Sequence, residues 1–258
     1  MPASIGNLPA DLVERSVQFP SESGAVIRGW FIPGNKGMGA IILMHGVRSN
    51  RLSMLDRARI LSRADYSVLL FDFQAHGESK GEHITLGYLE SKDAQAAVRF
   101  VRENVPGEKI GILGVSMGGA ATLLASPSLN VNAIVLEMVY PTIDQAVSNR
   151  LTMRLGGWAA WLRPLLTWQL QPRLGFDSGA LRPIDHVGSI SAPKFFIAGA
   201  DDQHTTLAES QQMFDASSNP KELWILKGAK HVDLYQVSKL EYEQRVQGFF
   251  QAYLRQKL

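Results

Sequence analysis

The chain has 258 residues, 45% hydrophobic and 19% charged, with a formal net charge of +2: the balance of one soluble globular domain, with or without an insertion. So small a charge gives no argument for nucleic acid, and the absence of cysteine excludes a disulfide framework, a thiolate metal site and a cysteine nucleophile. The opening MPASIGNLPADLVERS has no apolar h-region and no run reaches the roughly 18 residues of a membrane span, so a cytoplasmic location is the expectation.

In chain order, RSVQFPSESGAVIRGWFIPG reads as two strands joined by a Gly/Ser turn. The apolar runs AIILMHG, YSVLLFDF, KIGILGV, VNAIVLEMV, KFFIAGA and ELWILKGAKH follow, ending in Gly, Asp or His. Most lack polar alternation, the pattern of strands buried on both faces of a parallel sheet. Helical stripes lie between them: Ala94, Ala97, Val98, Val101 and Val105 share one face, and so do Tyr242, Val246, Phe249, Phe250, Tyr253 and Leu254 near the end. The alternation predicts an α/β protein with a doubly wound, mostly parallel sheet, whose chemistry sits at the C-terminal ends of the strands.

One segment breaks the rhythm. Residues 141–185 show no strand pattern and hold Trp158, Trp161 and Trp168, three of the five tryptophans. From Arg150 to Arg173 there are four arginines and no acid, and Pro164 and Pro172 should interrupt any helix. The expected organisation is a core of residues 1–140 and 186–258 with a helical cap insertion at 141–185, over the C-terminal edge of the sheet. The three tryptophans are candidates either to wall an acyl pocket or to form the cap's own small core. Tryptophan and arginine without acids also suit contact with an anionic membrane surface, although a solvated cationic face is the commoner case.

Gly114-Val115-Ser116-Met117-Gly118 is a G-x-S-x-G with an apolar strand running into it and a small-residue helix running out. That is the setting a nucleophile elbow requires. The sharp turn leaves no room for side chains at Gly114 and Gly118, and the helix N-terminus aims the Met117 N–H at a developing oxyanion.

With these motifs the chain resembles the α/β-hydrolase superfamily over nearly its whole length. It is most similar to the single-domain bacterial serine hydrolases of the esterase and prolyl-oligopeptidase-like type. LMHGVRSN resembles their His-Gly oxyanion loop, FDFQAHGES the loop after the fourth strand, and GADDQHTT and GAKHVDLY the acid and histidine loops. The resemblance implies that His45 braces the oxyanion loop, that the second oxyanion donor is the Val47 N–H, and that Asp72 ties down its own loop. One departure is Gln74, where the family usually has Arg; the change would weaken a structural salt bridge.

A serine hydroxyl needs a general base, and the base an orienting acid. In this fold the order along the chain is Ser, acid, His. Of six histidines, His231 follows the last predicted strand and precedes the C-terminal helix, where the base belongs. Asp233 is a poor orienter for it, being a neighbour in the same loop. The acid should follow KFFIAGA, where Asp201 and Asp202 stand side by side. The family spacing G-x-x-D, counted from Gly199, selects Asp202. Adjacent aspartates do not face one another as a glycosidase pair must, and Asp201-Asp202-x-His204 lacks a third ligand for a metal.

The reading that results is a serine hydrolase of carboxylesterase type acting on esters of small to medium acyl chain, with catalytic Ser116, His231 and Asp202 and backbone donors at Val47 and Met117. It expects a small-molecule acyl ester as substrate, no nucleic acid, and no metal or organic cofactor. Dehalogenases and epoxide hydrolases on this fold use Asp at the elbow, so Ser116 argues against them. Thioesterase, lipase and peptidase or amidase activity stay open, as does a non-catalytic ligand-binding protein that keeps the triad.

Overall fold

The computed structural model describes residues 15–255 together with Ile5 and Leu12. Eight strands form one sheet: β1 (Arg15–Pro20), β2 (Val26–Ile32), β3 (Ala40–Met44), β4 (Ser67–Asp72), β5 (Ile110–Val115), β6 (Ala133–Glu137), β7 (Lys194–Gly199) and β8 (Lys221–Leu226). Their order in space is β1-β2-β4-β3-β5-β6-β7-β8. β2 runs antiparallel to both β1 and β4, and every pairing from β4 onward is parallel. This is the α/β-hydrolase fold.

The burial of each strand explains its sequence. All residues of β3, β4, β6 and β7 are buried, so nothing selects a polar alternate position. The edge strand β8 alternates instead, with Trp224 and Leu226 inward and Leu223 and Ile225 more open. Helices cover both faces. On one lie α1 (Leu55–Arg63) and α10 (Lys239–Leu254), whose Ala58, Leu61, Tyr242, Val246, Phe249, Phe250 and Leu254 join one hydrophobic cluster. On the other lie α2 (Glu90–Asn104) and α3 (Met117–Leu124), whose Ala94, Ala97, Val98, Val101, Met117 and Ala120 join the second. Both stripes expected from the spacing are therefore core faces.

Residues 141–185 fold as α4 (Ile143–Leu155), a 3-10 turn at Gly157–Leu162, α5 (Arg163–Thr167), α6 (Leu170–Leu174), a 3-10 turn at Ser178–Ala180 and α7 (Ile184–Val187). Pro164 stands at the start of α5 and Pro172 in the first turn of α6, positions that forfeit no helical hydrogen bond. After α4 the segment is thus a series of single turns. α8 (Leu207–Ala216) follows β7, with a Thr206–Glu209 capping box at its start, and the short α9 (Leu234–Val237) precedes α10.

Candidate active site

Ser116 stands between the end of β5 and the first residue of α3 with φ 50° and ψ −111°, a conformation rare for a residue with a side chain. Two backbone bonds hold it there: its N–H donates to Glu137 O at 2.7 Å and its carbonyl accepts from Ala120 N–H at 3.0 Å. The flanking glycines are required sterically. A Cβ on Gly114 would meet Gly119 N at 2.6 Å, and one on Gly118 would meet Met44 O at 2.4 Å. The Ser116 hydroxyl has no hydrogen-bond partner among the described residues and faces a cavity of about 370 Å³.

The loops after β7 and β8 bring the predicted acid and base together. Asp202 is buried, and its Oδ2 lies 2.7 Å from His231 Nδ1. Its Oδ1 accepts the backbone N–H groups of His204 at 2.7 Å and Thr205 at 3.0 Å. A carboxylate can only accept, so His231 carries its hydrogen on Nδ1 and keeps Nε2 as an acceptor. Asp201 is exposed, its backbone tied to Ala229 O at 2.9 Å. Asp233 is engaged elsewhere: it caps α9 through Tyr235 N–H at 3.1 Å and pairs with Arg57 at 2.9 Å. The elbow and the acid loop share one support at the end of β6, because Glu137 O holds Ser116 N–H while Met138 O accepts the Thr205 hydroxyl at 3.2 Å.

The loop after β3 closes the other side. Gly46 packs so near the nucleophile that a Cβ on it would lie 3.7 Å from Ser116 Cβ, and Val47 and Met117 line the same cavity as Ser116. His45 is fully buried with Nδ1 2.7 Å from Gly46 O, while Nε2 accepts Phe73 N–H at 3.1 Å. Burial holds its pKa down at about 3, so it is a neutral brace. Sequence reasoning passed over His76, which acts in the same way. Its Nδ1 donates to Gln74 O at 2.8 Å and its Nε2 accepts the N–H of Arg48, a residue at φ 56°. Asp72 accepts from the N–H groups of Arg51 and Glu78 at 2.8 and 2.9 Å and pairs with the Arg51 guanidinium, so it ties both loops.

From sequence alone His204 is a candidate only as a metal ligand. Its ring lies 4.9 Å from that of His231, and burial followed by the neighbouring His231 lowers its pKa. Among the described residues no group of three His, Asp or Glu is arranged to hold a metal ion.

The cavity walls differ from the expectation for the tryptophans. Besides Ser116, Val47 and Met117, the walls are Leu86 and Tyr140, the α4 stripe Ile143, Ala146, Val147, Arg150, Leu151 and Arg154, and also Arg48 and Leu166. Trp158, Trp161 and Trp168 are not among them, and with exposures of 64%, 88% and 74% they form no cap core either. The segment docks instead through Ile143, Ala146, Phe176 and Leu181. The α4 stripe was legible in principle, since its spacing of three and four residues is helical and Arg150 and Arg154 fall on it.

Residues 35–178 match the family model described as "Serine aminopeptidase, S33". YqkD of Bacillus subtilis is 27% identical over 236 residues, covering 89% of this chain and 77% of its own length. The alpha/beta hydrolase domain-containing protein WAV2 of Arabidopsis thaliana is 24% identical over 239 residues, covering 87% of this chain and 74% of its own. Among solved structures, esterase Pf2001 of Pyrococcus furiosus superposes with a TM-score of 0.80 at 25% identity, over 98% of this chain and 97% of that one. An esterase from Exiguobacterium antarcticum, at 16% identity and a TM-score of 0.68 over 92% of this chain and 99% of that one, shares the fold.

Proposed function

The chain belongs to the α/β-hydrolase family described as serine aminopeptidase, S33, and is a hydrolase; from that premise we propose that it cleaves carboxylic esters of small to medium acyl chain through a Ser116–His231–Asp202 triad. The observation that carries the proposal is the Asp202–His231 bond at the ends of β7 and β8, on the same sheet edge as the strained Ser116 turn after β5. The likeness to a protein that is an esterase supports the choice of ester.

In this mechanism Ser116 Oγ attacks the acyl carbonyl as His231 Nε2 takes its proton, and Asp202 stabilises the imidazolium. The Met117 and Val47 N–H groups receive the negative charge of the tetrahedral intermediate. His231 returns the proton to the leaving alkoxide, giving free alcohol and an acyl-serine. Water then attacks the acyl group with its proton passing to Nε2, and collapse returns that proton to Ser116 with release of the acid. Ser–His hydrogen bonds are often long before substrate binds, which is consistent with the unpaired Ser116 hydroxyl.

Replacing Ser116 by Ala should reduce hydrolysis of p-nitrophenyl acyl esters by roughly 10⁴-fold or more. Activity persisting in a folded S116A protein overturns the assignment. Peptide p-nitroanilides and acyl thioesters assayed alongside order the leaving groups, since the same acyl-enzyme chemistry would cleave amides and thioesters.

A further inference from the structure

The cavity beside Ser116 has two chemically distinct parts. Along α4 the wall changes: Ile143, Ala146 and Val147 in its first turns are apolar, as are Val47 and Leu86 in the same lining, and Arg150 and Arg154 follow in its later turns. Three arginines, Arg48, Arg150 and Arg154, line the same space, and no acidic side chain does. Arg150 and Arg154 are four residues apart on α4, which stacks their side chains on one face; like charges so placed destabilise a helix slightly.

Salt bridges do not offset this gathering of charge. Among the described residues, no carboxylate lies within ion-pairing distance of Arg48, Arg150 or Arg154. The hydrogen bond of the Arg150 guanidinium runs to its own helix, at Ala146 O, 3.1 Å away. Arg163, off the cavity, does have a partner in Asp144 at 3.6 Å. Burial lowers the Arg150 pKa, Arg154 and Arg48 add to that, and Asp202 and Tyr140 oppose it, so Arg150 feels both of the other cations. Arg150 is half-buried and Arg48 and Arg154 are exposed; guanidiniums that line a cavity with most of their donors free match a ligand that brings its own negative oxygens.

Resting on the hydrolase reading above, we propose that Arg48, Arg150 and Arg154 form an anion-recognising subsite in the cavity of Ser116, so that the substrate is an acyl ester carrying a carboxylate or phosphate as a second group. The apolar wall holds the aliphatic part. The arginine end of α4 takes the anion. Hydrolysis then yields an acid with two anionic ends, or one anionic end and a phosphate.

The test compares monomethyl adipate with methyl hexanoate, esters of equal acyl length that differ by a terminal carboxylate. On the wild-type protein kcat/KM should favour monomethyl adipate on the order of tenfold, the effect of one added charge-assisted contact. The preference should fall as salt rises. In Arg150→Gln and Arg154→Gln the ratio between the two esters should collapse towards one, while Arg163→Gln should keep it. Calorimetric binding of both esters to folded Ser116→Ala reads the subsite without turnover and should show the same preference. Equal affinity there, or an equal ratio in wild type and the arginine variants, overturns the subsite. Absence of turnover of both esters by wild type, with the binding preference intact, overturns the hydrolase reading instead. An ester ending in phosphate, bound to the same variant, assigns the subsite to phosphate if it binds more tightly than the carboxylate and to carboxylate if it binds less tightly.

Discussion

Asp201 and Asp202 have the same chemistry and opposite surroundings. Asp202 is enclosed by three N–H donors, whereas Asp201 stands in solvent. Asp202→Asn should therefore lower kcat by roughly 10³–10⁴-fold, since the amide can hold the imidazole in the wrong tautomer. Asp201→Asn should leave kcat within about twofold. Steady-state kinetics of the two variants checks both, and the reverse pattern would move the acid by one position. Gln74 shows a second residue-scale effect. Its side-chain amide donates to Glu90 at 2.9 Å and its backbone N–H to Asp93 at 2.9 Å. Both acids are fully buried, and among the described residues neither has a cationic partner. Burial raises the Asp93 pKa from the ordinary 3.8 to about 6, helped by the charge of Glu90 and opposed by bonds from Ser21, Ser23 and Gln74. Between about pH 4 and about pH 6 the folded chain binds the extra proton, so stability falls as pH rises through that window, by roughly 3 kcal/mol at most. Gln74→Arg restores a cation and should reduce this loss by about 1–3 kcal/mol. Urea unfolding of both proteins across that range measures it, and parallel stability–pH curves would show that Gln74 has no such role. The departure from the family pattern was visible as a single letter. Its consequence depends on two acids that only the fold brings to it.

At the scale of elements, α1, β6, α10 and the His231 loop meet at one buried cation. The Arg57 guanidinium donates to the Glu137 carboxylate at 2.7 and 3.0 Å, to the Tyr242 hydroxyl at 2.9 Å, and pairs with Asp233. Tyr242 also donates to Glu137. Glu137 is the residue whose carbonyl holds Ser116, and Asp233 lies two places after His231, so the network stiffens the floor of the site. Removing one partner of a fully buried pair leaves a stranded charge. Arg57→Leu should accordingly cost about 3–5 kcal/mol in denaturant unfolding. Replacing Arg57, Glu137 and Tyr242 together by apolar residues should cost less than that single change, and a single variant within about 1 kcal/mol of wild type would show the ion pair to be dispensable. Nothing in the sequence signals this network, because the side chains that bond to one another in it are 80 to 185 residues apart. Strands β3 to β7, by contrast, were legible as uninterrupted apolar runs, and α2 and α10 as stripes. Those patterns are local consequences of burial on two faces or one.

For the whole molecule, the distribution of tryptophan divides the surface from the core. Trp30 and Trp224 are buried, while Trp158, Trp161 and Trp168 are largely in solvent. Acrylamide should quench most of the fluorescence, and a Trp158→Phe, Trp161→Phe, Trp168→Phe protein should lose that quenchable part while its kcat/KM for neutral esters stays within about twofold. A large fall in kcat/KM would return these rings to the substrate. Among the described residues no helix is long and apolar enough to cross a membrane. By itself the sequence determined the α/β class, the elbow at Ser116 and the loops that hold Asp202 and His231. Strand burial and a strained turn leave their marks in a few consecutive residues. Only the tertiary structure decided that the cavity wall is α4 with its arginines rather than the tryptophans, that His76 braces the loop of Val47, and that Arg57 joins the floor of the site. Those contacts join residues far apart in the chain, and which face of a short helix meets the cavity is set by how the helix docks, not by the letters it contains.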